Sequence, residues 1–342
     1  MSQRAIYRYF SGVSTKQWII HISLFIMTFL TTTMAGLNYS MDEKAELFST
    51  TRILYALQYS IPLLVILLSH EMGHYLQAKK YGVQASLPYF IPMPLFLIGT
   101  MGAVLRMKSI PPDRKSMFDI AFWGPAMSFL LSVPVFIAGL MLSRVVPIPA
   151  GADGFIGFGD SLLTLGLSVM VFDIPPGYTV LAHPLIMAAW VGLLVTALNL
   201  IPAGQLDGGH IAYALWGKRQ KHIAYLSLAI LVILSFKYPG WILWILLILF
   251  LLKPAHPDYT KLPIVREASQ GLFIETGFIN SPLDKKRRVL ALLSFFVLII
   301  SFIPFPIELP EEKNEKSPPA RQLERNRFYD DLRVHLKTMP KG

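Results

Sequence analysis

Ile61-Pro62-Leu63-Leu64-Val65-Ile66-Leu67-Leu68-Ser69-His70-Glu71-Met72-Gly73-His74-Tyr75 is an apolar run that ends in the pattern His-Glu-x-x-His. Residues four apart on an α-helix share a face, so His70 and His74 can grip one metal ion while Glu71, beside them, takes a proton from a water that the metal polarises. Ionisable groups at membrane depth are costly and usually mark a functional site. The bland reading is a helix end at the interface, where His and Glu are merely solvated. Zinc suits two imidazoles plus one further protein ligand, with a position left open for water. The pattern therefore points to a metallohydrolase with one Zn2+ per chain and Glu71 as its catalytic base.

Outward from this stretch, the 342 residues are 54% hydrophobic and only 15% charged, with a mean hydropathy of +0.50. Several apolar runs approach membrane-spanning length, so the expected fold class is an all-α polytopic membrane protein embedded in a lipid bilayer. The chain has no Cys, which excludes disulfide staples and thiolate-ligated zinc and leaves His, Asp and Glu as the strong candidate ligands. A net charge of +10 would suggest nucleic acid in a soluble protein. Here the Lys and Arg lie in loops and tails, where they set orientation and meet anionic head groups; there is no nucleic-acid motif and no nucleic-acid partner is expected.

In chain order, a basic tail with Arg4, Arg8 and Lys16 precedes an apolar run from Trp18 to Leu37. Its length and the lack of a small-residue cleavage site favour a first transmembrane helix over a signal peptide. A polar loop, 38–52, contains Asp42, Glu43 and Glu46, and a second span from about Ile53 to Tyr81 carries the His-Glu-x-x-His. Then Pro88, Pro92 and Pro94 forbid a straight helix, and the Gly-rich run from Gly99, ending in alternating Val104, Arg106 and Lys108, reads as extended. A re-entrant loop or β-hairpin is expected, bordering the metal site, because non-helical backbone at membrane depth must be buried or line a wet cavity. An ordinary interfacial loop is the alternative. A third span follows, about Met117 to Leu142, with Gly124-Pro125 near its start; 155–172 is read as an interfacial or re-entrant helix.

A fourth span, about Val180 to Ile201, ends in Asn199-Leu200-Ile201-Pro202-Ala203-Gly204-Gln205-Leu206-Asp207-Gly208-Gly209-His210. Pro202 and the glycines break the helix and let one carboxylate turn inward. Asp207 is the candidate third metal ligand; alternatively it is the N-cap of a helix beginning at Gly208. Asn199, one turn before the break, is placed to hydrogen-bond substrate or a developing oxyanion, or else packs helices. His210 is a candidate to support the metal site from behind, whereas His21, His183, His222 and His256 read as structural or interfacial.

These motifs, His70-Glu71-x-x-His74, Asn199-x-x-Pro202 and Leu206-Asp207-Gly208-Gly209 in separate membrane segments, resemble the site-2 intramembrane zinc metalloproteases. Leu87-Pro88-Tyr89-Phe90-Ile91-Pro92, Gly99-Thr100-x-Gly102-Ala103, Phe118-Asp119-Ile120 and Gly124-Pro125 are similar to the branch without a PDZ domain, which includes bacterial, archaeal and chloroplast members. The resemblance covers roughly residues 53–217, with a weaker echo to about residue 307. It implies zinc ligation by His70, His74 and Asp207, catalysis by Glu71, and cleavage of membrane-spanning protein substrates within the bilayer. A substrate helix must unwind to expose its peptide bond, and an edge strand from about Gly102 to Met107, with Gly102, Ala103 and Val104 at its start, can hold it by strand addition.

Lys and Arg number three in the N-terminal tail, six across Lys79 to Lys115 and three across Lys218 to Lys221, against two in 38–52 and one in 144–180. The positive-inside rule places both halves of the site on the cytoplasmic side. Beyond the site, 222–236 and 241–252 are tilted short spans or a re-entrant hairpin, 253–288 is a polar loop ending in Lys285-Lys286-Arg287-Arg288, and about Val289 to Ile303 is a last span, for six to seven in all. The division expected is 1–52 (tail, first span and loop), 53–217 (metalloprotease core), 218–306 (C-terminal spans) and 307–342, a charged tail that is partly helical or disordered. The basic segment before the first span has no transit-peptide character, which favours a prokaryotic cytoplasmic membrane. A membrane metal-ion transporter or metal-sensing protein is the alternative function, since such proteins also coordinate ions with intramembrane His and Asp.

Overall fold

The computed structural model describes residues 14–39, 46–94, 97–147, 157–175, 178–259, 265–269, 272–276 and 279–308. The expected basic tail before residue 14, the acidic positions Asp42, Glu43 and Asp153, and the charged tail from residue 309 lie outside them.

Among the described residues, three helices are long and apolar enough to cross a bilayer. Helix α1 (Thr15–Gly36) opens with a capping box between Ser14 and Gln17, α2 (Thr50–Lys80) is capped by Ser49, and α3 (Arg114–Leu142) by Asp113. In each the cap side chain accepts a backbone N–H that the first turn cannot pair internally. These match the first three expected spans closely. The fourth does not: its helix, α5 (Pro184–Asn199), is shorter at its start. The β-branched residues 179 and 180 lie instead in strand β5 (Tyr178–Leu181), antiparallel to β3 (Arg144–Pro147), and the helix begins only at Pro184, whose fixed φ suits a first helical position. Within 155–172 the helix is α4 (Leu162–Val171), about 15 Å long, too short to span.

The C-terminal part contains α6 (Asp207–Trp216), α7 (Gln220–Ser235), α8 (Gly240–Leu246) continuing as a π-helical stretch over Leu247–Leu252, and α9 (Lys285–Ser301). None of these reaches spanning length, so six to seven spans are not established: among the described residues the count by length and apolarity is three. The Lys285-Lys286-Arg287-Arg288 run, expected to close a polar loop, forms the first turn of α9, capped by Asp284. The expected loop also holds a strand pair, β6 (Val265–Ser269) with β7 (Leu272–Thr276). A last antiparallel pair joins segments distant in sequence, β4 (Gly157–Phe158) with β8 (Ile307–Glu308).

The centre of the bundle is α2, which packs against α1, α3 and α5. Tyr59, Leu63, Leu64 and Leu67 of α2 form one core with Met187, Ala188, Trp190 and Val191 of α5. The crossing of α2 and α3 is close because glycines allow it: a Cβ on Gly73 would strike the carbonyl of Trp123. The expected hairpin is present, β1 (Tyr89–Pro92) antiparallel to β2 (Thr100–Val104). Its strand starts earlier than expected and ends at Val104, after which the arms stay linked through a bridge between Ala85 and Met107. The register slips between Phe90 and Pro92, and Gly102, at φ +95°, supplies the left-handed residue that this bulge requires.

Candidate metal centre

His70 and His74 lie one turn apart on α2, both buried, their rings 4.8 Å apart. The third group comes from the turn between α5 and α6. Pro202 ends the helical path and Gly204, at φ +57°, reverses it. Gly208 and Gly209 then let α6 press against the turn it has just left, since a Cβ on either would collide with the carbonyls of Leu200 or Gly204. Leu206 occupies the N-cap position of α6 and makes no side-chain cap bond. Asp207 is therefore not the N-cap but the first helical residue, and its carboxylate meets the two histidines of α2. Oδ2 stands 3.4 Å from Nε2 of His70 and 3.3 Å from Nε2 of His74. The three donor atoms all lie within 4.8 Å of one another. Two imidazole nitrogens and one carboxylate oxygen converging on a buried point fit a zinc ion, which takes such ligands in tetrahedral sites.

The other ring nitrogens are held as well. Nδ1 of His74 donates to the carbonyl of Ile120 at 2.7 Å. Nδ1 of His70 meets Ser128 Oγ at 3.1 Å, Ser128 meets Thr196 Oγ1 at 2.7 Å, and Thr196 donates to the Gly192 carbonyl at 2.7 Å. A chain of donors running His70 to Ser128 to Thr196 to Gly192 satisfies every group and leaves Nε2 of His70 with its lone pair facing Asp207. Gly124 makes room for the arrangement, because a Cβ there would fall on the His74 ring. Ser128, Thr196 and the Ile120 carbonyl escaped the sequence reading. Hydroxyls on two otherwise apolar helices were the available signal for the first two; a backbone carbonyl leaves none.

Glu71 is 7% exposed and near enough to His74 and Asp207 to feel their charges. Asn199 brings Nδ2 to 3.5 Å from Nε2 of His70, the nitrogen that also faces Asp207. Gly102 is buried in β2, Ala103 packs against the α2 core that includes Leu67, and Val104 is exposed. Among the described residues β2 pairs only with β1, so its outer edge has no strand partner.

Of the remaining histidines, His222 is exposed, and His21, His183, His210 and His256 have structural contacts. His21 bonds the Pro88 carbonyl and His183 receives the N–H of Leu185 at the start of α5. His210 and His256, which have no partner by spacing in the sequence, meet at 2.8 Å between Nδ1 and Nε2. Burial, and then the neighbouring His210, push the pKa of His256 down to about 3. His210 also lines a cavity of about 220 Å³ with Gln205, Tyr259 and Ile120.

A helical bundle with membrane-length helices that turns two imidazoles and a carboxylate onto one buried point defines a membrane metalloprotein. The profile of peptidase family M50 matches residues 58–236, more than half of the chain and inclusive of every residue of the centre, and the chain belongs to that family. It is 41% identical over 170 residues to "Probable zinc metalloprotease EGY1, chloroplastic" of Oryza sativa subsp. japonica, covering 48% of this chain and 28% of that protein. It is 30% identical over 240 residues to "Probable zinc metalloprotease EGY2, chloroplastic" of Arabidopsis thaliana, covering 69% and 40%, and 32% identical over 287 residues to the Arabidopsis EGY1 protein, covering 75% and 51%. The chain thus spans about half or less of the length of these relatives. No solved structure matches it. The family supports the peptidase expectation and lends nothing to the transporter alternative.

Proposed function

We propose that the chain is a zinc metalloendopeptidase that hydrolyses peptide bonds within or near the transmembrane helices of membrane proteins. The observation that carries this is the convergence of His70, His74 and Asp207 beside the buried Glu71. His70, His74 and Asp207 hold the zinc, which when bound polarises the scissile carbonyl and makes water a nucleophile near neutral pH. Glu71 accepts the proton of the attacking water on its carboxylate and delivers it to the leaving amide nitrogen. Asn199 offers its side-chain N–H to the carbonyl oxygen as negative charge develops there. The burial of the site keeps bulk water from the reacting groups. The unwound substrate lies extended along β2 over Gly102, Ala103 and Val104, whose free edge supports this placement.

In this reading residues 53–217 are the protease core, flanked by 1–52, the C-terminal spans of 218–306 and the tail 307–342. Helices α5, α7, α8 with its π extension, and α9 complete the six to seven spans as short crossings met by local thinning of the bilayer, supported for α5 and α8 by their apolar composition. The centre faces the side of the Lys- and Arg-rich loops, the cytoplasmic side of a prokaryotic membrane. The relatives named above are chloroplastic, and localisation of a tagged chain in its own organism decides the host membrane.

The test is zinc content and cleavage of a panel of tagged single-span proteins by purified wild type and Glu71→Gln. Zinc in both with cleavage by wild type alone is expected. Zinc in neither, or cleavage by both, overturns the proposal.

A further inference from the structure

Arg287, in the first turn of α9, reaches across to α3, where its Nε and Nη2 lie 2.8 and 2.6 Å from the two carboxylate oxygens of Asp119. Tyr81, at the end of α2, donates to the same carboxylate. Helices α2, α3 and α9 therefore meet on one buried charge, satisfied by the forked guanidinium and the Tyr81 hydroxyl together. The next residue along α3 is Ile120, whose carbonyl holds Nδ1 of His74. This turn of α3 is poorly supported from within, because Pro125 has no N–H to give the carbonyl of Ala121.

We infer that Arg287 is a positioning residue of the metal centre: by gripping Asp119 it fixes the Ile120 carbonyl, and through it the ring plane and tautomer of His74. The inference rests on the metal-centre reading above. It also makes α9, which lies beyond the 58–236 stretch matched by the family profile, a part of the centre. A guanidinium is suited to this work, since its planar fork matches both carboxylate oxygens, whereas an ammonium reaches one at a time.

The experiment compares full-length wild type with Arg287→Met, Arg287→Lys and Asp284→Asn. Asp284 pairs with the remaining Nη1 of Arg287 at 2.5 Å, and Asn keeps its capping role while removing the charge. Zinc affinity is read by competition with a chelator, and the His74 tautomer by 15N signals of labelled histidine in the metal-free chain at alkaline pH, where the imidazole beside the Asp207 carboxylate is neutral. About tenfold weaker zinc binding is expected for Arg287→Met, a smaller loss for Arg287→Lys, and none for Asp284→Asn. The single Nδ1–H tautomer of His74 gives way to a mixture in Arg287→Met and in part in Arg287→Lys. Wild-type affinity and a single tautomer in either Arg287 variant, at an unchanged unfolding temperature, overturn the inference, and the Lys variant decides alone where Met prevents folding. A wild-type chain that takes up no zinc overturns the proposed function instead, and the imidazole signal, which needs no metal, separates the two.

Discussion

Ser128 Oγ stands 3.1 Å from Nδ1 of His70, linking α3 to the metal-binding face of α2. The hydroxyl also bonds Thr196 of α5, so one atom fixes the ring of His70 against two helices. Ser128→Ala should weaken zinc binding about tenfold, as loss of a partner behind a ligand commonly does. It should cost about 1 kcal/mol of stability, because the buried Nδ1–H of His70 loses its acceptor. Chelator competition and thermal unfolding of the same preparation measure the two effects.

Gly124→Ala should be far more damaging than its single methyl suggests. The new Cβ would occupy the space of the His74 imidazole, and neither helix can retreat without opening the contact of Ala78 on α2 with Ile120 on α3. Overpacking of this kind costs about 1–3 kcal/mol. Zinc bound per chain should fall to near zero while the helical circular dichroism signal is kept. An alanine variant with full zinc would show that the His74 ring lies elsewhere.

Zinc removal should lower thermal stability, because the ligands converge only in the folded state. At a free zinc concentration 100 times the dissociation constant, the folded chain gains about 2.7 kcal/mol. The melting temperature should therefore drop on chelation and recover on adding zinc. Asp207→Asn should show a diminished response, and His70→Ala or His74→Ala none.

Proline in β2 should separate substrate docking from hairpin integrity. Successive amides of a strand point to opposite edges, so of Ala103→Pro and Val104→Pro one removes a bond to β1 and the other a bond offered to substrate. The latter should lower turnover about tenfold without changing zinc content or unfolding temperature. Equal cleavage by both variants would exclude strand addition at this edge.

The buried His256 should make the fold acid-sensitive. Its pKa is about 3 in the folded state against 6.5 as the ordinary value, so between these pH values the unfolded chain binds more protons and stability falls as pH falls. From neutral pH to pH 5 the loss attributable to this group is about 2 kcal/mol. His256→Gln should flatten that part of the stability profile, measured as unfolding temperature between pH 7 and 5.

The first three spans and the hairpin were legible in the sequence because their signals are local: long apolar runs, and prolines that exclude helix over 88–94. The fourth span was read too long because apolarity does not distinguish a helix start from a strand, and the pairing of Tyr178–Leu181 with Arg144–Pro147 joins segments separated by α4. The role of Asp207 stood open between cap and ligand, and the structure removes the cap by placing Leu206 at that position. The meeting of His210 with His256, and of Asp119 with Arg287, had no signature in spacing.

By itself, the sequence determined that the chain is apolar enough for a membrane and that His70 and His74 share a helix face with Glu71 between them, because helical periodicity acts over a single turn. The tertiary structure alone decided what completes that face: the carboxylate of Asp207, the hydroxyl of Ser128, the carbonyl of Ile120 and, behind it, the guanidinium of Arg287. Each of those contacts depends on how closely helices distant in sequence approach. That approach is set by where glycines let backbones touch and where buried charges must find partners, and no local period encodes it.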